Sequence, residues 1–411
     1  MSALVGSWLE RFLGRGRAAV TVPPLDGALK PNNRLEDAPR GLVSHAPDNL
    51  VACDGAVLWS SGTRLFRAAA GAEPEPVATL DGVISALAVS PRGQIAVACD
   101  GKGISILARD GTVTDTGRSS GWPSACITAM TFVDEASLVV CVGSVQTALD
   151  AWQRDLMEHR RAGELWKLDL AARTAKRLAA GLGYPNGVVV AADQSLIVSE
   201  AWDVRLVRRA PDGRELAIVL DDLPGYPGRI AASARGGYWL TVFAPRSPLI
   251  EFVLREDDYR RAMLAEVPPA YWIAPALRSG VSFHEPMQGG ALKQMGILKP
   301  WAPTLSYGLV IALDTNFVPL QSLHSRAGGK RHGITSAVDI DGRLWLTAKG
   351  GDEIVAIDHA AGEVRRCSRS SSSRTLPRNS TAFRRCATSR SISGPVRSMR
   401  CSARTAPASR R

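Results

Sequence analysis

Residues 183–213, GYPNGVVVAADQSLIVSEAWDVRLVRRAPDG, constrain the fold more than any other stretch. A tight turn at 183–187 feeds a Val-rich run at 188–190, and a polar turn at Asp193 and Gln194 leads to a second apolar run at 195–199. After a bend at 200–203 a third run, 205–209, alternates apolar with basic and stops at Pro211-Asp212-Gly213. Short β-branched runs bounded by Gly, Pro, Asn and Asp read as strands joined by turns. The stretch is one antiparallel meander.

The chain repeats it with drift. The first copy runs from 48–51 through Asp54-Gly55 to 56–60 and 64–67, and the second from 84–89 through Pro91-Arg92-Gly93 to 94–99 and 104–107. The third pairs 127–133 with 137–142 and, past an insertion, 164–168; the fourth is the stretch above. A fifth copy is expected at 229–232, 238–243 and 249–253, and a sixth at 335–340, 343–347 and 353–357. None is large enough to bury its own apolar face. Four-stranded units set radially around a channel solve that problem and leave few exposed edges. The expected fold is all-β, a six-bladed β-propeller over residues 36–360, with the fourth strand of each blade drawn from connecting segments such as 75–80 and 174–178.

Two insertions interrupt the rhythm. Residues 146–161 have helical spacing, with Leu149, Trp152 and Leu156 on one side. Residues 257–297 begin with an expected helix at 259–265 and continue through a Pro-rich, aromatic segment ending near Trp301. Long insertions tend to be lids or binding elements. Tyr271, Trp272, Phe283, His284 and Trp301 either roof the channel mouth or cover a blade.

The net charge of +11 invites a nucleic-acid reading, but it is carried by the tail. From Val364 onward there are thirteen Arg and no acidic residue, which leaves the rest of the chain at −2. That is no broad basic face for phosphate. The N-terminal arm, 1–35, carries a short apolar helical face expected to lie on the surface. No apolar run reaches the roughly 18–20 residues needed to cross a bilayer. No stable membrane insertion and a cytoplasmic location are expected. Cys53, Cys99, Cys126, Cys141, Cys367, Cys386 and Cys401 show no metal-ligand spacing, and the first four fall in or beside apolar runs as small hydrophobes.

Residues 361–411 change abruptly to Arg, Ser, Ala, Pro and Cys, the composition of a disordered basic tail. With GC-rich codons, the DNA behind 394–411 also reads PGEVHALLGENGAGKST in a frame shifted by two bases. That contains a phosphate-cradling P-loop and resembles the start of a sugar ABC importer's ATPase subunit. The tail therefore reads as an out-of-frame extension, with a possible functional link to such an importer. In frame the chain has no P-loop, and no nucleotide is expected.

In a propeller, residues entering the innermost strands gather at one mouth. Here they are Asp48 and Asn49, Ser85, Thr128, Asn186, Gly228 and Arg229, and Thr335. Oxygen ligands converging on an axis suit a hard cation, calcium first, with zinc or magnesium as alternatives. Such a metal could polarise a carbonyl and activate water. The candidate metal ligands are Asn186, Asp48 and Thr128, the candidate catalytic groups His332 and Glu200, and the candidate substrate contacts Arg229, Lys330, Arg331 and Trp202. Each has a plainer reading. Asn186 and Asp48 suit tight turns; Glu200 can pair with Arg205; a lone His is more often structural; Lys330 and Arg331 suit a solvated loop.

LGYPNGV, the strand ending SEAW, RLVRRAPDG, DDLPGYP, GGYWL, HGITSAVDIDGRLWL and DEIVAID together resemble the strictosidine-synthase-like branch of the gluconolactonase (senescence-marker-protein) superfamily, over about residues 40–358. The resemblance implies a six-bladed propeller and, for its lactonases, hydrolysis of sugar lactones with an axial divalent metal. It matches Asn186 to a family metal ligand and sets Asp48 near the place of the first-blade Glu. Thr128 falls where the lactonases offer Asn, and Gly228 where they place the Asp that serves as ligand and base. Thr335 stands where the strictosidine-forming enzymes use a catalytic Glu, so alkaloid condensation is not expected. The first reading is a metal-assisted hydrolase of a small, sugar-derived lactone or ester. The alternative is a non-catalytic propeller that binds a small molecule or a protein partner, its metal site eroded.

Overall fold

The computed structural model describes residues 22–115, 121–280, 285, 293–294, 297–298 and 305–358. The chain divides into two compact units, Met1–Glu363 and Val364–Arg411, and every described residue lies in the first. The reading of the tail, and of residues 1–21 in the arm, falls outside the described residues. So do Phe283, His284 and Trp301.

Six four-stranded antiparallel sheets form the blades of a propeller. Blade 1 is Pro47–Cys53, Ala56–Ser61, Arg64–Ala69 and Glu75–Thr79; blade 2 is Ile84–Val89, Ile95–Cys99, Gly103–Leu107 and Val113–Asp115. Blade 3 is Ile127–Phe132, Ser137–Val142, Gly163–Asp169 and Thr174–Leu182; blade 4 is Pro185–Val190, Leu196–Glu200, Arg205–Arg209 and Glu215–Leu220. Blade 5 is Gly225–Ala232, Tyr238–Pro245, Gly308–Leu313 and Pro319–Ser325. Blade 6 takes Ile334–Ile340, Arg343–Ala348 and Glu353–Asp358 from one end of the unit and its outermost strand, Leu42–Val43, from the other. Leu42 pairs with Ile354 and Val43 with Glu353, closing the ring.

The core explains why no blade stands alone. Each interface between neighbouring blades carries its own apolar cluster. Leu58 and Leu65 meet Ile84 and Ile95 between blades 1 and 2, and Leu165 meets Val188 and Val198 between blades 3 and 4. Trp59 and Leu50 meet Trp345 and Ile354 between blades 1 and 6. At roughly 25 cal/mol per Å² of apolar surface removed from water, this burial exists only once a blade has neighbours. The four body cysteines are buried and free, and burial pushes the Cys99 and Cys126 thiols up to about 11.

The fifth repeat corrects the sequence reading. Residues 249–253, expected as its third strand, lie in helix α2 (Pro248–Arg255), and the third strand is Gly308–Leu313. Ser247 caps α2, its Oγ accepting from the Ile250 N–H at 3.2 Å, and Pro248 occupies the first turn. A side-chain cap with Pro just inside it is a strong helix start. Isoleucine, phenylalanine and valine in that run misled a strand count. The first insertion forms α1 (Trp152–Met157), shorter than the expected span, and α3 is Asp257–Glu266. Among the described residues no helix is long and apolar enough to cross a membrane.

Candidate functional site

All six innermost strands are bulged near their starts. Register shifts fall between Asp48 and Val51, Ile84 and Ala86, Ile127 and Ala129, Pro185 and Gly187, Pro227 and Ile230, and Ile334 and Ser336. The mouth positions read from the sequence are the residues at these bulges. A bulge re-aims a side chain and sharpens local twist, and the six bulges form one ring at the same end of the innermost strands. Asn49 takes a left-handed φ of 59°, which Asn tolerates better than most residues.

At that ring the Arg229 guanidinium reaches across the axis. Nη1 donates to Asp48 Oδ1 at 2.6 Å and to the Thr335 carbonyl at 3.3 Å. Nη2 donates to Asn49 Oδ1 and to the Ser85 carbonyl, the latter at 3.0 Å. One side chain of blade 5 thus ties blades 1, 2 and 6. Lys349, just past the second strand of blade 6, donates to Asp48 Oδ2 at 2.8 Å. Burial opposes charge on Asp48, but Arg229 and Lys349 outweigh it and hold the carboxyl well below the usual carboxylate range.

Polar bonds also join five pairs of neighbouring blades around the same ring. Thr128 Oγ1 donates to the Pro185 carbonyl at 2.5 Å, Ser199 Oγ to Gly228 O at 2.7 Å, and Thr241 Oγ1 to Thr335 O at 3.2 Å. Asn49 Nδ2 donates to Ile84 O at 3.2 Å, and Ser336 Oγ accepts from Leu50 N at 2.9 Å. Thr128 therefore spends its hydroxyl proton on a blade-to-blade bond. Asn186 is half-buried at its bulge in blade 4.

The other candidates lie away from this ring or are committed elsewhere. His332 is buried with both ring nitrogens engaged, Nδ1 with Ser306 Oγ at 2.7 Å and Nε2 with the Arg326 carbonyl at 2.9 Å. Burial pushes its imidazole down. Glu200 is fully buried and held by Arg205 at 2.8 Å and Arg209 at 2.9 Å. Burial and the neighbouring Glu200 push Asp203 up to about 6, while its two oxygens receive Arg161 at 2.6 and 2.7 Å. Trp202 stacks on Tyr184 with centroids 4.4 Å apart and donates Nε1 to Asp155 Oδ1 at 2.8 Å. Lys330 is exposed, its N–H donating to Glu36. Arg331 is buried, gripping the carbonyls of Leu35, Ala38 and Pro39 and both oxygens of Glu353.

Lys349 was missed in the sequence, as was Asn49 as a partner of Arg229. The only signal for Lys349 is a basic residue directly after the strand WLTA, at the mouth end of blade 6. The six innermost strands line an open pocket of about 360 Å³ beside the ring. Arg229, Asn49 and Ser336 line it together with Val51, Leu87, Met130, Val189 and Val338.

The donor set does not fit a divalent metal at the axis. Asp48 and Asn49 already serve a guanidinium, and Lys349 takes the second Asp48 oxygen. Among the described residues no group of three or more His, Cys, Asp or Glu could hold a metal ion.

No protein-family model matches the chain. It is 24% identical over 260 residues to strictosidine synthase-like protein 7 of Arabidopsis thaliana, covering 61% of this chain and 70% of that one. It is 34% identical over 208 residues to the adipocyte plasma membrane-associated protein of Bos taurus, covering 47% of this chain and 44% of that one. The match to strictosidine synthase-like protein 13 of Arabidopsis thaliana is 30% identical and spans 28% of its length, so the chain covers well under two thirds of several relatives. A solved gluconolactonase from Xanthomonas campestris superposes with a TM-score of 0.49 at 13% identity over 82% of this chain and 98% of its own, a likeness too loose to argue from. The chain is a six-bladed propeller homologous to the strictosidine synthase-like and adipocyte plasma membrane-associated proteins.

Proposed function

We propose that this propeller binds a small amphipathic molecule in its axial cavity, with no axial metal taking part. The observation that carries the reading is the axial pocket itself, about 360 Å³ and lined by both polar and apolar groups from all six innermost strands. That volume lies within the ~300–1,000 Å³ of ordinary small-molecule pockets. A lining that mixes polar and apolar groups suits a ligand that carries both.

Lactone or ester hydrolysis, the first reading from the sequence, needs a group to take a proton from water. Asp48, ionised between two cations, is a weak base. His332 and Glu200 are engaged by neighbours. Binding is therefore the better supported of the two readings.

Decanoic acid and δ-decalactone serve as probes. Strand alternation puts Ala231 on the same face of its strand as Arg229, and Ala231 lines the cavity. Either probe is expected to raise the melting temperature of the wild type, as any ligand of the folded state alone does, and to leave Ala231→Phe unmoved. An equal shift in Ala231→Phe would place binding elsewhere. Metal-dependent lactone turnover would restore the hydrolase reading.

A further inference from the structure

We propose that Arg229 is the propeller's built-in axial cation, standing where a divalent metal would stand, so that the protein takes up no metal at its axis. This holds whether or not a ligand enters the pocket beside it.

The bonding pattern points there. The guanidinium collects one carboxylate oxygen, one amide oxygen and two backbone carbonyls. Those are the oxygen types a hard cation gathers, and they come from blades 1, 2 and 6 around the common axis. A calcium ion would hold them at about 2.3–2.6 Å. Here Nη1 stands 2.6 Å from Asp48 and 3.3 Å from Thr335 O, and Nη2 stands 3.0 Å from Ser85 O, spacings for N–H donors.

Charge argues the same way. Arg229 and Lys349 together oppose the single carboxylate of Asp48, each with one of its oxygens. The ring therefore already carries an excess of positive charge, and a divalent ion would enter against two like charges at close range. Nor does Gly228 of blade 5 bring a side-chain ligand. A Cβ at Gly228 would meet Thr241 Oγ1 at 2.6 Å, a hydroxyl already bonded to Arg229 O and Thr335 O. Any side chain at Gly228 would have to displace that hydroxyl.

The test uses the full chain, purified without chelator. Elemental analysis is expected to find far less than one calcium, magnesium, manganese or zinc per chain. Melting scans are expected to be unmoved by the chlorides of those metals or by EDTA. Stoichiometric metal, or a melt lowered by EDTA and restored by one of the salts, would overturn the proposal. Arg229→Ala is expected to melt earlier than the wild type, and calcium chloride to recover part of that loss while leaving the wild type unmoved. An equal calcium shift in both proteins, or none in a folded Arg229→Ala, counts against it. If Arg229→Ala does not fold, the wild-type measurements decide alone.

Discussion

Gly187 and Gly228 face each other across the boundary between blades 4 and 5. A Cβ at Gly187 would meet Gly228 O at 2.6 Å and the Arg229 Cα at 2.8 Å. Backbone so close leaves no flexible side-chain end to move aside. Gly187→Ala is expected to destabilise by about 1–3 kcal/mol, the usual range for overpacking, measured by urea denaturation. The same substitution should displace the axial guanidinium, because the Arg229 Cα is among the atoms it strikes. Asn186 beside it looked like turn chemistry in the PNG motif, yet it is Gly187 that the close packing requires. A single sequence shows the glycine but not what lies opposite it.

At the scale of the element, blade 4 ends its second strand in a cluster of charge. Glu200 is buried against Arg205 and Arg209, and Asp203 follows in the bend with Arg161 across it. Folding raises Asp203 to about 6, from roughly 3.9 in an unfolded chain. A raised carboxyl favours the folded state while it is protonated, so its contribution is complete below about pH 4 and is lost as pH rises through about 6. Melting temperature against pH should therefore fall over that window in the wild type relative to Asp203→Asn. Parallel curves for the two proteins would show that Asp203 is ionised throughout. Elsewhere the elements were legible where pattern and turn chemistry agreed, as in blades 1 to 4. Helix α2 was not, because its cap at Ser247 competes with a run of strand-forming residues that only the packing of the insertion resolves.

The whole propeller is closed by a clasp near the start of the described chain. Arg331 grips four backbone carbonyls of residues 35–39 and the carboxylate of Glu353, while Gly41 N donates to the same Glu353 at 2.7 Å. Removing one partner of a buried pair leaves the other uncompensated, at a cost of about 3–5 kcal/mol. Arg331→Ala is expected to lose that much by urea denaturation, with the probe-induced melting shift retained. Loss of probe binding without loss of stability would return Arg331 to the substrate contacts first expected of it.

By itself the sequence determined the architecture. The spacing of apolar runs and turns sets the blade, and a blade too small to bury its own face forces a ring. It also marked the bulged positions, because residues entering the innermost strands recur in each copy. Only the tertiary structure decided what those positions hold. A spacing rule places oxygen donors at one mouth, but whether they meet a metal or a guanidinium depends on one side chain reaching across the axis to residues some 180 positions away in the chain. Such long-range charge pairing has no local signature, so the bonds from Arg229 to Asp48 and Asn49 are not legible in the sequence.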